Sequence, residues 1–155
     1  MEPPYDEASA YHEAGHAVIA LVLGRPVHQV SVLPNHERVG VCEYRKGVFR
    51  PTEDRPEREI LIALGGIAAE ARHMGNYAWD QAARDQQYVR GLAVQRAGER
   101  QAERLQRRLL AKAEHLLGQE GNWRAVELIA AELLQRGVVS GRAVRHLFDK
   151  ARAEC

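Results

Sequence analysis

Few features of this sequence are typical of secreted or membrane-spanning proteins. Only two cysteines are present, Cys42 and Cys155, which are too few for a disulfide framework or a cluster of thiolate ligands. The longest uninterrupted apolar run, Ala17 to Leu23, is far shorter than the roughly 20 residues that span a bilayer. The N-terminus, Met1 to Glu7, is acidic where a signal peptide is basic and then apolar. These absences predict a cytoplasmic protein with no direct membrane span.

Strong charge of one sign is also absent. The 22 Lys and Arg residues against 21 Asp and Glu give a net charge of +1, which produces no field that attracts nucleic acid or anionic lipid. Arginines between positions 96 and 108 alternate with Glu99 and Glu103, which favours a solvated helix face over a nucleic-acid interface. With 155 residues the chain has the size of one domain. We therefore expect a single domain over residues 1–155 and no nucleic-acid partner.

The hydrophobic pattern of the N-terminal half predicts two helices and two strands. Asp6 is a plausible N-cap for a helix that ends at Leu23, before a Gly and a Pro. Alternation over Val27 to Leu33 and Val39 to Tyr44 predicts an antiparallel pair of strands. Pro56 suits the first turn of a second helix that runs towards Met74. Gly65 and Gly66 inside this helix indicate either close approach of another backbone or a bend.

The C-terminal half is predicted to be helical from about Trp79 nearly to its end. Breaks are expected at Gly98 and at Gly118 to Gly121. Gly137 can end one helix in a left-handed cap, and Ser140 can cap the last helix. Apolar residues recur at helical spacing on these segments, which indicates core-facing stripes. The fold class expected from the whole sequence is mainly α with a small antiparallel β-sheet.

One motif in the first predicted helix carries metal-binding chemistry. His12 and His16 are four positions apart, so both rings lie on one face of the helix, about 6 Å apart along its axis. Imidazole nitrogens at this spacing can bind one zinc ion. Glu13 is rotated by about 100° from His12, which places its carboxylate where it can take a proton from a zinc-bound water. The spacing therefore predicts zinc-dependent peptide hydrolysis.

The alternative explanation of this motif is chance, because the chain contains 7 histidines and many glutamates. Two features of the context argue against chance. The motif lies in a helix with a capping residue, and the small residues Ala14 and Gly15 leave room around the ligands. We therefore interpret the motif as a zinc site.

Two stretches around this motif resemble the peptidase domain of FtsH-type ATP-dependent zinc proteases. They are Ala-Tyr-His-Glu-Ala-Gly-His-Ala at 10–17 and Pro-Val-His-Gln-Val-Ser-Val-Leu-Pro at 26–34, and the likeness continues at 40–41 and 64–70 and more loosely over 128–147. In that family two motif histidines and a later Asp hold zinc, and the motif Glu is the catalytic base. The resemblance implies these roles for His12, His16 and Glu13, with one zinc per chain. It also implies a mainly helical fold with a small sheet.

The third protein ligand is predicted from the resemblance among Glu70, Asp80 and Asp85. In the FtsH pattern the ligand Asp is followed by a small or apolar residue at plus four and by Ala at plus eight. Val89 and Ala93 stand at these positions after Asp85, whereas those after Asp80 are polar or aromatic. We choose Asp85 as the ligand. Glu70 remains an alternative ligand, but we expect it to support the first helix or to orient a ligand histidine.

Two departures from the family pattern affect the expected function. The sequence has no G-x-x-x-x-G-K-[ST] phosphate loop and only eleven residues before His12, so we expect no ATPase module. The family's segment between the helix bearing the Asp and the helical tail is shortened here around Arg96 to Gln101, which alters the expected cleft wall. The leading interpretation is a zinc metalloendopeptidase that acts on peptides or loosely folded protein segments.

Two other functions remain open from the sequence. One is a dedicated regulatory protease with a single partner protein, similar to ImmA/IrrE-type proteins. The other is an inactive zinc-containing binding module or a partner of a separate ATPase. The presence of Glu13 favours an active enzyme, because a structural zinc site needs no general base. The resemblance also implies a homo-oligomer or a separate ATPase as a partner, besides the peptide or protein substrate.

Overall fold

The computed structural model describes residues 5–33, 41–44 and 54–155. The elements in these residues are α1 (Glu7–Val22), β1 (Val27–Ser31), β2 (Val41–Tyr44), α2 (Arg55–Met74), a 3-10 turn (Trp79–Gln81), α3 (Ala83–Ala97), α4 (Glu99–Gly118), α5 (Glu120–Arg136), β3 (Val138–Ser140) and α6 (Gly141–Ala153). The fold class predicted from the sequence, mainly α with a small antiparallel sheet, is confirmed. Val39 and Gly40, the first residues of the second predicted strand, lie outside the described residues.

Helix α1 is the central element of the fold. The side chain of Asp6 caps it by accepting a hydrogen bond from the backbone N–H of Ser9, at 3.0 Å. Nearly every residue from Glu13 to Leu21 is buried, because α1 packs against α2, α5 and the sheet. Its small residues, among them Ala10, Ala14 and Ala17, are completely buried and let these neighbours approach closely. The polar side chains of His16 and Glu13 are thus carried by a helix that is largely buried.

Helix α2 packs along α1 through glycines. It begins at Arg55, capped by Asp54, and ends at Met74, where Gly75 adopts a φ of 93°. A Cβ atom built on Gly15 would lie 2.4 Å from the carbonyl oxygen of Gly65, so no side chain fits between the two helices at this level. At Gly65 the structure thus shows the close approach of another backbone, whereas the atoms nearest to Gly66 belong to the side chain of His16.

The sheet has the strand order β2-β1-β3, and both pairs are antiparallel. Val30 of β1 is paired with Cys42 of β2 on one side and with Val139 of β3 on the other. The third strand was not expected from the sequence. It is three residues long and follows Gly137, which ends α5 at a φ of 78°, so it has too few residues for a visible alternation.

The helical tail closes the core on α1. Single breaks at Gly98 and Gln119 separate α3, α4 and α5, close to the positions expected from the sequence. Leu109 on α4 and Ile129 and Leu133 on α5 are completely buried. Helix α5 packs against both α1 and α6. Among the described helices, none combines the length and the apolar character that a membrane crossing requires.

Candidate metal centre

The two motif histidines lie side by side and both line one cleft. Their ring centroids are 4.7 Å apart and the ring planes meet at 84°. The side chain of His16 is 9% exposed, whereas that of His12 is 17% exposed. Both residues are held on successive turns of the buried helix α1, so their relative position is set by a rigid element.

Asp85 faces both histidines from the first turn of α3. Its Oδ2 atom lies 2.7 Å from Nε2 of His12 and 3.4 Å from Nε2 of His16. Three donor atoms from α1 and α3 therefore converge, although 73 positions separate His12 and Asp85 in sequence. Asp80, the other aspartate considered as a ligand, is exposed on the 3-10 turn and is not among the residues that line the cleft.

The opposite nitrogens of both histidines contact α2. Nδ1 of His12 lies 3.1 Å from Oε1 of Glu70, and Nδ1 of His16 lies 2.8 Å from the backbone carbonyl oxygen of Ile62. Each Nδ1–H can donate to these oxygens, which fixes the ring orientation and directs Nε2 towards Asp85. Glu70 thus faces the side of His12 away from the point where the three donor atoms converge.

Opposite charges accumulate in this cluster. Burial lowers the pKa of His12, but hydrogen bonds to Asp85 and Glu70 outweigh it and raise the pKa to about 10. Burial also lowers the pKa of His16, and the charge of Asp85 reverses this effect. Burial raises the pKa of Asp85, but the two histidines hold it well below its usual range. The carboxylates therefore stabilise positive charge on the two rings, and a cation bound at the Nε2 atoms would replace the protons there.

The donor set at this point fits zinc. Two imidazole nitrogens and one carboxylate oxygen are ligands that zinc accepts in catalytic sites, which keep one further position open. Glu13 also comes close, since one donor atom each of His12, Glu13 and His16 lie within 4.8 Å of one another. Its Oε1 atom is 3.9 Å from Nε2 of His16, which is farther than Asp85 is from either histidine. Asp85 therefore lies closer than Glu13 to Nε2 of His16.

The cleft has a volume of about 670 Å³ and is bounded on one side by strand β2. Cys42 and Tyr44 of β2 line it, together with Arg25. Burial and the charge of Glu13 raise the pKa of the Cys42 thiol, so the thiol is neutral near pH 7. Arg25 donates to the carboxylate of Glu59, and its guanidinium lies 4.4 Å from the centroid of the Tyr44 ring.

The sequence did not predict that Arg25, Tyr44 and Glu59 line this side of the cleft. Arg25 lies between α1 and β1, Tyr44 on β2 and Glu59 on α2, and no motif connects them. Their proximity depends on how the sheet is placed against the two helices. The backbone carbonyl of Ile62 was missed for a different reason, because a main-chain acceptor has no signature in the sequence.

Comparison with known protein families identifies the family of this chain. The family model of Peptidase family M41 matches residues 3–99, which is more than half of the chain. The chain belongs to this family. The resemblance to an FtsH-type peptidase domain found from the motif is thereby confirmed. The M41 match spans α1, β1, β2, α2 and α3, and so includes both histidines, Glu13, Glu70 and Asp85.

Relatives of this M41 chain include the ATP-dependent zinc metalloprotease FtsH of Cupriavidus metallidurans, which is 41% identical over 70 residues, covering 41% of this chain and 10% of that protein. The ATP-dependent zinc metalloprotease FtsH 3 of Symbiobacterium thermophilum is 35% identical over 99 residues, covering 56% of this chain and 15% of that protein. The ATP-dependent zinc metalloprotease FtsH of Caldicellulosiruptor bescii is 38% identical over 66 residues, covering 40% of this chain and 11% of that protein. The matched part is thus a small fraction of each of the first two relatives.

Proposed function

We propose that the chain is a zinc metalloendopeptidase in which His12, His16 and Asp85 hold one zinc ion. The observation that carries this proposal is the convergence of two Nε2 atoms and one Oδ2 atom, at 2.7 and 3.4 Å. Membership of a peptidase family and relatives described as zinc metalloproteases support the choice of metal and of reaction. When bound, zinc supplies the Lewis acidity that polarises a peptide carbonyl and lowers the pKa of a water molecule.

Glu13 is the general base in this proposal. Its carboxylate is 6% exposed, lies in the cleft and is 3.9 Å from Nε2 of His16. It takes one proton from the attacking water as the water oxygen bonds to the carbonyl carbon. It then gives the proton to the leaving nitrogen as the C–N bond breaks, which restores the carboxylate. In this proposal the carboxylate of Glu13 carries the proton in both steps.

The substrate in this proposal is an extended peptide or a loosely folded protein segment. Strand β2 pairs with β1 on one side and with no other strand on its outer side within the described residues. An extended chain can add to such an edge through main-chain hydrogen bonds, which require no particular side chains. Because Cys42 and Tyr44 of β2 line the cleft, a peptide along this edge would pass the metal position.

The test combines a metal assay with turnover of casein or of a quenched peptide by the wild type and by Glu13→Gln. We expect about one zinc per chain in both proteins, because the substitution keeps the shape and leaves the three ligands in place. Hydrolysis should fall by a factor of about 100 or more in the variant, because the base is lost. Turnover unchanged by Glu13→Gln would assign the chemistry to other residues.

The same assay separates the alternative functions. Stoichiometric zinc without turnover in the wild type would favour an inactive zinc-containing binding module or a partner of a separate ATPase. Addition of ATP should not change turnover by the isolated chain, because its 155 residues contain no phosphate-binding loop of the G-x-x-x-x-G-K-[ST] type. ATP stimulation of the pure protein would contradict this expectation.

A further inference from the structure

The ring of His16 lies directly on the backbone of α2 at Gly66. A Cβ atom built on Gly66 would lie 2.4 Å from Cε1, 2.5 Å from Nε2 and 2.7 Å from Nδ1 of His16. These distances are about 1 Å shorter than ordinary van der Waals contacts, and the three nearest atoms all belong to the same imidazole ring. No residue other than glycine fits at this position while the ring stays where it is.

The neighbouring glycine has a different contact. A Cβ atom on Gly65 would lie 2.5 Å from Cγ1 of Ile19 and 3.3 Å from the carbonyl oxygen of Gly15. Gly65 therefore allows the packing of α1 on α2, whereas Gly66 makes room for one side chain of the metal centre. The glycine at position 65 is thus needed for helix packing, whereas the glycine at position 66 is needed for the position of a site residue.

Two neighbouring positions of α2 contact the ring of His16. The backbone carbonyl of Ile62 accepts from Nδ1 at 2.8 Å, and Gly66 lies one helical turn further along the same helix. One turn beyond Gly66, Glu70 faces Nδ1 of His12 at 3.1 Å. Positions 62, 66 and 70 of α2 thus follow one face of the helix and meet the two histidines of α1 in the reverse order.

We infer that Gly66 is a positioning residue for the metal centre. The absence of a side chain at Gly66 lets the His16 ring reach the carbonyl of Ile62 and directs Nε2 towards Asp85. This inference rests on the proposed zinc site, because it assigns Gly66 a role in holding one of the ligands. Gly66 is not among the residues that line the cleft.

The substitution Gly66→Ala should weaken zinc binding without disrupting α2. Alanine is favoured over glycine in a helix interior by about 1 kcal/mol, so α2 itself gains from the change. The contact to be relieved is with the end of a side chain, so the ring turns away and the helices stay packed. A displacement of about 1 Å exceeds the roughly 0.2 Å within which metal–ligand distances are held. We expect zinc affinity to fall by a factor of about 100, the upper end of the range for loss of a partner that orients a ligand.

The first experiment measures zinc affinity by competition with a chromophoric chelator, and the visible absorption of the Co²⁺-substituted protein as a signature of coordination. Gly66→Ala should show the loss of affinity and an altered Co²⁺ spectrum. Gly91→Ala is the matched control, since Gly91 is an exposed helical glycine with open space around its Cα. Its affinity and spectrum should equal those of the wild type. Wild-type affinity and spectrum in Gly66→Ala would overturn the inference.

The second experiment measures unfolding of the metal-free proteins in a double-mutant cycle of Gly66→Ala and His16→Ala. If the added methyl group meets the ring, Gly66→Ala should cost stability with His16 present and should be neutral or stabilising in His16→Ala. Equal destabilisation in both backgrounds would overturn the inference even if Gly66→Ala folds poorly. This readout needs no zinc. A wild type that binds no zinc would therefore refute the metal site separately from the contact between Gly66 and His16.

Discussion

At the scale of single residues, three carboxylates surround the two histidines, and their positions separate their roles. Asp85 faces the Nε2 atoms of both rings, Glu70 faces Nδ1 of His12, and Glu13 lies at 3.9 Å from His16 on the cleft side. A carboxylate on Nε2 is placed to share a metal, and one on Nδ1 is placed to orient the ring. In the proposed function the same functional group would serve three purposes, which differ by the atom that each carboxylate faces.

The assignment of Asp85 predicts a sharp difference between two aspartates. Asp85→Ala should reduce zinc affinity by several orders of magnitude, because one of three protein ligands is lost. Asp80→Ala should change it little, since Asp80 is exposed on the 3-10 turn outside the cleft. Equilibrium dialysis against a zinc buffer measures both. A strong loss in Asp80→Ala with normal binding in Asp85→Ala would reverse the assignment.

For Glu70 a graded response is expected. Glu70→Gln keeps an oxygen that can accept from Nδ1 of His12 but removes the charge, so zinc affinity should fall by a factor of about 10. Glu70→Ala removes the acceptor and should cost up to about 100-fold. Both variants should retain one zinc per chain at saturating metal. Complete loss of stoichiometric zinc in Glu70→Gln would make Glu70 itself a ligand.

At the scale of secondary-structure elements, local signals account for what the sequence could predict. Asp6 and Ser140 do cap α1 and α6 through hydrogen bonds to the residues three positions on, and Gly137 ends α5. Strand β3 could not be predicted in this way, because its three residues are defined by pairing with β1, more than a hundred positions earlier. Helix caps and helix-breaking residues can be recognised from a few neighbouring residues, whereas strand pairing depends on the whole fold.

The same distinction holds inside the candidate site. His12, Glu13 and His16 lie within five consecutive residues of one helix, so their grouping could be predicted from spacing alone. Asp85 lies on another helix and could be nominated only through resemblance to a family. The ring of His16 contacts α2 at the main-chain carbonyl of Ile62 and at Gly66, which has no side chain. Neither contact can be recognised as a sequence motif.

The contact that ties β2 to the helices gives a prediction for substrate binding. Arg25→Met removes both the ion pair with Glu59 and the stacking on Tyr44, so the edge of β2 beside the cleft loses a support. We expect KM for a peptide to rise about three- to tenfold, with a smaller change in kcat and unchanged zinc affinity.

A second arginine provides the control for this change. Arg145 also pairs with an acid, Asp149, and lies 5.8 Å from the centroid of the Phe148 ring, but it is exposed on α6 and does not line the cleft. Arg145→Met should leave KM unchanged. Equal KM values for Arg25→Met and the wild type would show that this contact does not position the substrate-binding edge.

At the scale of the whole molecule, the metal centre and the helical tail share one core. The M41 match ends at residue 99, yet α5, beyond it, packs on the helix that carries both histidines. Ile129 and Leu133 of α5 are completely buried. The positions of His12 and His16 therefore depend on residues that contribute no chemistry and lie outside the matched region.

Leu133→Ala tests this dependence on the tail. A buried Leu replaced by Ala typically costs about 2–5 kcal/mol, so the free energy of unfolding should fall by that amount although Leu133 is not a site residue. Below the unfolding midpoint, zinc stoichiometry should remain near one per chain, since the ligands are unchanged. Urea unfolding followed by circular dichroism measures the first quantity, and a metal assay on the folded protein measures the second. A midpoint equal to that of the wild type would show that the tail does not stabilise the core around α1.

Metal removal should lower stability without unfolding the protein. The histidines are held by Glu70 and Ile62 independently of any metal, and the core extends through all six described helices, so the fold does not depend on zinc as a small zinc finger does. Zinc at 100 times its Kd stabilises the folded state by about 2.7 kcal/mol. For a protein of this size that corresponds to roughly 5–10 °C in Tm. A scan with and without EDTA should show this shift in the wild type and no shift in Asp85→Ala, where the chelator has little bound metal to remove. An equal EDTA shift in both proteins would place the stabilising metal elsewhere.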